Sequence, residues 1–150
     1  MVRLGIGLYG IDSSEMVQGK LMNVSTLKTT ISQIKHVKKG ETIGYGRVGK
    51  VFDDKIIATI GLGYADGLSR RLSNGKGKIL VNGQMAPIIG NVCMDMTMLD
   101  ITGIQAKEGD EAFVFGQQPR IEDVASDAGT IPYEILTTIS ARVKRVYYQE

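Results

Sequence analysis

Two tyrosines set between glycines are the side chains of this sequence best placed to do chemistry. Tyr45 lies in the run GETIGYG at 40–46, and Tyr64 lies in the similar run GLGYADG at 61–67. Each follows an apolar, strand-like stretch, and its small neighbours let the backbone turn sharply or lie close to a ligand. Two hydroxyls could thus face a ligand or a partner. From composition alone, tyrosines at turns with half-buried rings are the more common arrangement.

A tyrosine can serve as a general base only if its surroundings favour the phenolate. Its ordinary pKa is about 10, so nearby positive charge would have to lower it substantially. The sequence contains arginines that could do this, but spacing does not show which arginine meets which tyrosine. Residue types and spacing alone therefore leave open both a reactive phenol and a β-domain of unknown role.

Other kinds of site lack the residues they need. The single histidine, His36, and the single cysteine, Cys93, give no zinc-ligand spacing, so we predict no metal site. Cys93 lies in an apolar stretch, which favours a small buried side chain over a nucleophile. Neither a dinucleotide-binding glycine motif before a helix nor a phosphate loop occurs.

Composition narrows the partners and the compartment. A net charge of +2 is too small to indicate nucleic-acid binding or attraction to an acidic membrane. No apolar run approaches the ~20 residues needed to cross a bilayer. The first residues lack the features of a secretory signal, and one cysteine cannot form an internal disulfide. We therefore expect a cytoplasmic protein without nucleic-acid or membrane partners.

The elements that position the tyrosines are predicted to be mainly strands. The clearest signal is Asn82-Gly83 between two apolar runs, which predicts a two-residue β-hairpin turn within 78–89. Alternating or apolar runs predict further strands, and two amphipathic runs predict short helices. The further strands are expected at 2–9, 21–37, 47–52, 55–62, 92–101, 111–115 and 142–148, and the helices at 121–128 and 133–139. Asp53-Asp54 is expected to form the hairpin connection between 47–52 and 55–62.

Eight or nine short strands with little helix predict the fold class. The expected architecture is one mainly β domain spanning 1–150, a closed or nearly closed, Greek-key-like β-barrel with a few short helices. The strand expected at the start of the chain has no turn or cap before it. We take this as an indication that a further segment precedes it.

Five segments together resemble a known family. They lie at 2–10, 40–46, 60–67, 89–95 and 129–135, and a closing match covers 139–143. In order and spacing they resemble the C-terminal β-domain of alanine racemase. Any one of them is weak evidence, but five in sequence are highly specific.

The resemblance implies a pyridoxal-phosphate enzyme of which this chain is one part. In that family an N-terminal (β/α)₈ barrel precedes the β-domain, and the homodimer's active sites lie between the barrel of one subunit and the β-domain of the other. The implied reaction interconverts L-alanine and D-alanine for cell-wall peptidoglycan. The cofactor lysine belongs to the barrel and has no counterpart here, so we expect this chain alone to be inactive.

The resemblance also implies roles for individual residues. Tyr45 matches the catalytic tyrosine that exchanges the α-proton on one face of the substrate, opposite the lysine. Arg3 matches the arginine that faces the pyridine nitrogen and, by keeping it unprotonated, disfavours side reactions. The amides of Gly5 and Ile6, with the hydroxyl of Tyr133, match the phosphate contacts.

The remaining matches lie around the substrate. Met94 and Asp95 match the substrate side of the pocket, and Tyr64 and Arg70 match its entrance. Asn91 departs from the family pattern, because an arginine is frequent at this position. That loss of charge could alter gating or substrate preference.

Three other readings remain open at this stage. An amino-acid decarboxylase of the same fold would carry a Cys-Glu-Ser type motif, whereas Cys93 is followed here by Met94 and Asp95, which favours the racemase. A racemase of another amino acid, such as serine, is not excluded. A β-barrel binding module without catalysis would be complete near these ends, unlike a domain with a barrel before it.

Overall fold

A computed structural model of the 150-residue chain describes residue 1, residues 5–12 and residues 20–148. Within these residues it contains eight strands, two α-helices and four short 3₁₀ helices. The strands are β1 (Leu27–Val37), β2 (Thr42–Ile43), β3 (Gly49–Lys50), β4 (Lys55–Ile60), β5 (Lys78–Val81), β6 (Gln84–Pro87), β7 (Thr97–Asp100) and β8 (Glu111–Phe115). The α-helices are α1 (Ile121–Asp127) and α2 (Pro132–Thr138), and the 3₁₀ helices are Ile6–Tyr9, Tyr45–Arg47, Tyr64–Asp66 and Arg70–Leu72.

Six of the strands form one antiparallel sheet that nearly closes on itself. Its order is β6-β5-β8-β1-β4-β7, and a bridge between Ile88 and Leu99 joins the end of β6 to β7 at the other edge. The long strand β1 pairs with both β4 and β8, and its register shifts once against each partner. Such irregularities bend a strand, which lets one strand serve both halves of a curved sheet. The predicted mainly β, nearly closed barrel is confirmed.

The core fills the inside of this sheet. Alternate side chains of the strands point inward, and the largest fully buried ones include Ile31, Ile60, Leu99 and Val114. The helices cover part of the barrel with an apolar face, to which Ile121, Val124, Ala125 and Ile135 contribute. The site described below is therefore carried on loops around a rigid sheet.

The hairpin of β5 and β6 has the turn that its sequence predicts. Asn82 and Gly83 both have positive φ, at 45° and 78°. The Asn82 side chain also donates hydrogen bonds to the Gln105 carbonyl and to Asp110, at 2.9 and 2.8 Å. The turn is thereby tied to the loop that leads into β8. The strand predicted at 111–115 and the two predicted helices are also confirmed, with helix ends shifted by one residue.

Several local predictions near the two ends of the chain were wrong. Residues 6–9, expected in a strand, form a 3₁₀ helix, since backbone turns there outweigh the apolar alternation. The strand expected over 21–37 begins only at Leu27. Residues 142–148, expected in a closing strand, pair with no strand among the described residues. The rest of the first expected strand, 2–4, lies outside the described residues.

Two further predictions failed around the site. The strand β3 pairs with β2 and not with β4, so Asp53-Asp54 connects two strands of different sheets. The strand expected over 92–101 is confined to β7, and the loop before it includes Cys93, which is half-buried and not in a strand. The backbone pairs with β2 in the first place and is bonded to the Tyr64 turn in the second, and sequence alternation reveals neither partner.

No helix within residues 1, 5–12 and 20–148 is long and apolar enough to cross a membrane.

Candidate functional site

Tyr45 stands at the tip of a small hairpin. The strands β2 and β3 pair through Thr42 with Lys50 and through Ile43 with Gly49, and the 3₁₀ helix Tyr45–Arg47 joins them. The flanking Gly44 and Gly46 have φ of 78° and 74°, in the left-handed region where glycine is not strained. The tyrosine is 88% exposed. The two glycines thus turn the chain sharply on both sides of the phenol, as the sequence suggested.

Apolar packing around Ile43 holds the hairpin in place. The side chain of Ile43 is buried in a small apolar cluster with Val51, Ile57 and Met98. A Cβ placed on Gly44 would lie 2.9 Å from the Met98 methyl carbon and 3.9 Å from the Asn91 amide nitrogen. The hairpin therefore lies directly against the loop that runs from Asn91 to Met94.

The turn that carries Tyr64 is bonded to the same loop. The Tyr64 amide donates to the Cys93 carbonyl at 2.9 Å, and the Ala65 amide donates to the Met94 carbonyl at 3.0 Å. This approach requires glycine at position 63, because a Cβ there would lie 2.3 Å from the Met94 carbonyl oxygen. The loop from Asn91 to Met94 thus contacts the Tyr64 turn as well as the Tyr45 hairpin.

Around this loop the side chains matched to the substrate are open to solvent. Met94 is 54% exposed and Tyr64 is 44% exposed. The Arg70 guanidinium carbon lies 5.7 Å from the centre of the Tyr64 ring, a cation–π arrangement. Asn91 accepts a hydrogen bond from the Asn74 side chain at 3.0 Å.

An arginine not assigned a role from the sequence connects this region. Arg142 Nε donates to Asp66 Oδ1 at 2.7 Å, and its Nη2 donates to Asp95 Oδ1 at 2.6 Å. The other oxygen of Asp66 accepts from the Gly63 amide at 2.8 Å and so closes the Tyr64 turn. Because Arg142 is 76 and 47 residues away from these two carboxylates, sequence spacing carried no signal of the contact.

The contacts in this cluster favour the charged forms of Asp66 and Arg142. Partial burial of Asp66 opposes its ionisation, but hydrogen bonds from Arg142 and Gly63 outweigh that effect and lower the pKa of the carboxyl group. The two carboxylates in turn raise the pKa of the Arg142 guanidinium. Asp66 and Arg142 are therefore both charged at neutral pH.

A second group of predicted residues lies where the 3₁₀ helix Ile6–Tyr9 meets α2. Gly5 precedes the 3₁₀ helix and lies against the Tyr133 hydroxyl, so closely that a Cβ on Gly5 would be 2.6 Å from that oxygen. The Ile6 side chain is buried in the core, which leaves only its backbone to contact a ligand. Tyr133, in the first turn of α2, is 45% exposed. Arg3, expected with this group, lies outside the described residues.

The two groups are joined through backbone contacts and not through their functional side chains. A Cβ on Gly67, just after the Tyr64 turn, would lie 2.5 Å from the Thr138 carbonyl oxygen at the end of α2. The Ser140 amide also donates to the Asp66 carbonyl. Among the described residues, no hydrogen bond, ion pair or ring contact links Tyr45 to Tyr133.

A cavity of about 320 Å³ lies between α2 and the segment 64–71. Tyr64, Arg71 and Glu134 contribute to its lining, whereas Tyr45 and Met94 do not. Of the predicted site residues, Tyr64 thus borders this cavity, whereas Tyr45 and Met94 lie on an open surface outside it. In the part of the chain that the structure describes, no group of three or more His, Cys, Asp or Glu side chains could hold a metal ion.

Comparison with known proteins shows that a family model matches most of this chain. The family model described as alanine racemase, C-terminal domain, matches residues 24–147. The chain belongs to this family. Alanine racemase from Helicobacter acinonychis is 46% identical, and that from Clostridium tetani is 45% identical, over 98% and 99% of this chain. In both cases the match covers 41% of the relative, so the chain spans about two fifths of the length of these curated relatives.

Solved structures of the family have the same fold. Alanine racemase from Streptomyces lavendulae superposes with a TM-score of 0.92 at 35% identity, over 99% of this chain and 41% of that one. The Bartonella henselae enzyme, solved with covalently bound pyridoxal phosphate, gives a TM-score of 0.90 at 36% identity, over 96% of this chain and 40% of that one.

Proposed function

We propose that the protein containing this chain is an alanine racemase in which the chain supplies the tyrosine that exchanges a proton with the substrate. The observation that carries the proposal is the presentation of Tyr45. Its phenol is exposed at the tip of a hairpin that is fixed by buried Ile43 and lies against the loop leading to Met94 and Asp95. A proton-transfer group must be held at a defined place and still reach its substrate.

The residues near Tyr133 fit a phosphate-bearing cofactor, which we propose to be pyridoxal phosphate. The close approach of the Tyr133 hydroxyl to Gly5 leaves no room for a side chain and places a hydroxyl donor beside the backbone at Gly5. Such donors suit a phosphate group. When bound, this cofactor acts as an electron sink for the negative charge left on the substrate's α-carbon.

In this proposal each group of this chain has one task. Tyr45 moves a proton to or from one face of the α-carbon. The amides of Gly5 and Ile6 and the hydroxyl of Tyr133 hold the phosphate, and Arg3 faces the pyridine nitrogen. Met94 and Asp95 line the substrate side of the pocket. Tyr64 and Arg70 line its entrance.

The rest of the site is proposed to come from an N-terminal barrel and a second subunit. The surface around Tyr45 is open and carries exposed apolar side chains, including Val48, Phe52, Met94 and Met96. Large exposed apolar surfaces commonly bind another protein surface. A barrel that carries the second base would cover this surface, so the chain alone should not racemise alanine. The free thiol of Cys93 suits the cytoplasm as the proposed location.

The role of Tyr45 can be tested with the Tyr45→Phe variant of the full-length protein. We expect deuterium exchange from solvent into one enantiomer of alanine to fall by about 10²–10⁴-fold, the usual contribution of a positioned acid or base, while exchange into the other enantiomer persists. Tyr148→Phe is the matched control, because Tyr148 is equally exposed, at 87%, and has no role in the proposed site. Equal loss for both enantiomers, or no loss, would contradict the role of Tyr45. Wild-type protein that exchanges serine but not alanine would contradict the substrate.

A further inference from the structure

We infer that Arg142 is a positioning residue that sets the distance between the Tyr64 turn and the Met94–Asp95 segment, and thereby the affinity for the amino-acid substrate. The inference rests on the proposed function, because it concerns how the substrate side of that site is built.

The two contacts of Arg142 reach two different walls of the proposed site. One arm of its guanidinium binds Asp66 at the end of the Tyr64 turn, and the other binds Asp95 next to Met94. Arg142 is well suited to this task because its planar side chain presents several donors in a fixed arrangement, whereas a lysine offers a single compact charge. The spacing of the two carboxylates is thus set by one rigid group.

Arg142 is itself held by the segment around it. The Ser140 amide donates to the Asp66 carbonyl at 3.1 Å, which places this segment beside the Tyr64 turn. The neighbouring Arg145 donates to the carbonyls of Ile139 and Ser140, at 3.1 and 3.3 Å. The backbone that carries Arg142 is therefore held in place by several hydrogen bonds of the same segment.

The Asp66 arm differs from an ordinary surface ion pair. Exposed pairs contribute little, because solvent screens them and both side chains lose freedom. The Asp66 side chain is only 13% exposed, and its second oxygen is occupied by the Gly63 amide. Asp66 thus connects Arg142 to the backbone of Gly63, which lies against Met94. Asp95 is half exposed, so without Arg142 it would be free to leave its place.

The test is steady-state kinetics of the full-length protein with alanine. Arg142→Gln removes the charge and both arms, and we expect KM to rise about three- to tenfold, the effect of weakening one hydrogen bond to the substrate. We expect kcat to change less than twofold, because Tyr45 is held by a separate hairpin. Asp66→Asn should raise KM similarly while leaving Asp95 and Tyr64 chemically unchanged. The double variant should be no worse than the worse single one, because both changes remove the same connection.

Arg120→Gln is the matched control. Arg120 also pairs with a carboxylate, Glu122, at a similar exposure, but on α1 and outside the proposed site. A purely structural role would lower the melting temperature or the amount of active enzyme in the Arg142 and Asp66 variants without changing KM. That result, or a KM of Arg142→Gln within twofold of Arg120→Gln, would overturn the inference. Wild-type protein without alanine racemase activity would instead refute the proposed function, and this inference with it.

Discussion

The closest approach between two proposed phosphate contacts allows a sharp test of the cofactor site. Gly5→Ala adds a single methyl group that would lie 2.6 Å from the Tyr133 hydroxyl oxygen. Gly5 has a φ of −102°, outside the left-handed region, so we expect the added methyl group to act mainly through its contact with the Tyr133 hydroxyl. To restore ordinary van der Waals contact at 3.4 Å, the hydroxyl would have to retreat by about 0.8 Å.

That displacement is large compared with the length of a hydrogen bond. A hydroxyl that binds a phosphate oxygen at about 2.7 Å would end near 3.5 Å, beyond useful bonding distance. A hydrogen bond to a charged group contributes about 1.5–3 kcal/mol. We therefore expect Gly5→Ala to weaken binding of pyridoxal phosphate by roughly 10- to 100-fold, since each 1.4 kcal/mol is a factor of about ten.

The assay is equilibrium dialysis of the full-length protein against pyridoxal phosphate and against pyridoxal, which lacks the phosphate. Only the phosphate-bearing ligand should lose affinity. Gly7→Ala is the matched control, because a Cβ on Gly7 meets nothing within 4 Å. Tyr133→Phe should match the loss in Gly5→Ala, and combining the two should add little. Unchanged affinity in Gly5→Ala, or equal loss for both ligands, would refute the reasoning.

Two further predictions concern stability. Gly63→Ala would place a Cβ 2.3 Å from a backbone carbonyl oxygen, so we expect it to destabilise the protein by about 2–4 kcal/mol in chemical denaturation. Gly61→Ala, where a Cβ meets nothing within 4 Å, should change stability by less than about 0.5 kcal/mol, and similar values for both would contradict the model of the loop. Although burial opposes the ionisation of Asp100, hydrogen bonds from Lys55 and Thr102 lower the pKa of its carboxyl group. The stabilisation from Asp100 is therefore present above pH ~4 and is lost as the pH falls through that lowered pKa. Between pH 6 and 2, the melting temperature should therefore decline less in Asp100→Asn than in the wild type, because Asp100 pairs with Lys55. Asp53→Asn is the control and should follow the wild type, because Asp53 forms no ion pair among the described residues. Parallel curves for all three proteins would refute this assignment.

Local backbone conformation was predictable wherever the chain adopts a conformation that few residue types tolerate. Asn82-Gly83 predicted its hairpin because both residues tolerate the positive φ that the turn requires. The glycines on both sides of Tyr45 predicted a sharp turn for the same reason, and the structure has positive φ at Gly44 and Gly46. The family followed from the order of several such segments.

Predictions failed where distant backbone contacts decide the conformation. Residues 92–96 have an apolar sequence like that of a strand, but the carbonyls of Cys93 and Met94 are bonded to the Tyr64 turn. Residues 142–148 were expected in a closing strand, yet Arg142 in this segment reaches two carboxylates instead. Side-chain alternation reports which face is buried, and it does not report which chain segment provides the hydrogen-bond partner.

The sequence by itself determined the glycine-dependent turns, the mainly β fold class and the resemblance to the family. Only the tertiary structure decided that Gly5 lies against Tyr133, that the hairpin of Tyr45 lies against the loop before Met94, and that Arg142 joins Asp66 to Asp95. The physical reason is separation along the chain. A turn is fixed by the backbone preferences of a few consecutive residues, whereas these contacts exist only after the barrel has brought residues 47 to 128 positions apart within a few ångströms of one another.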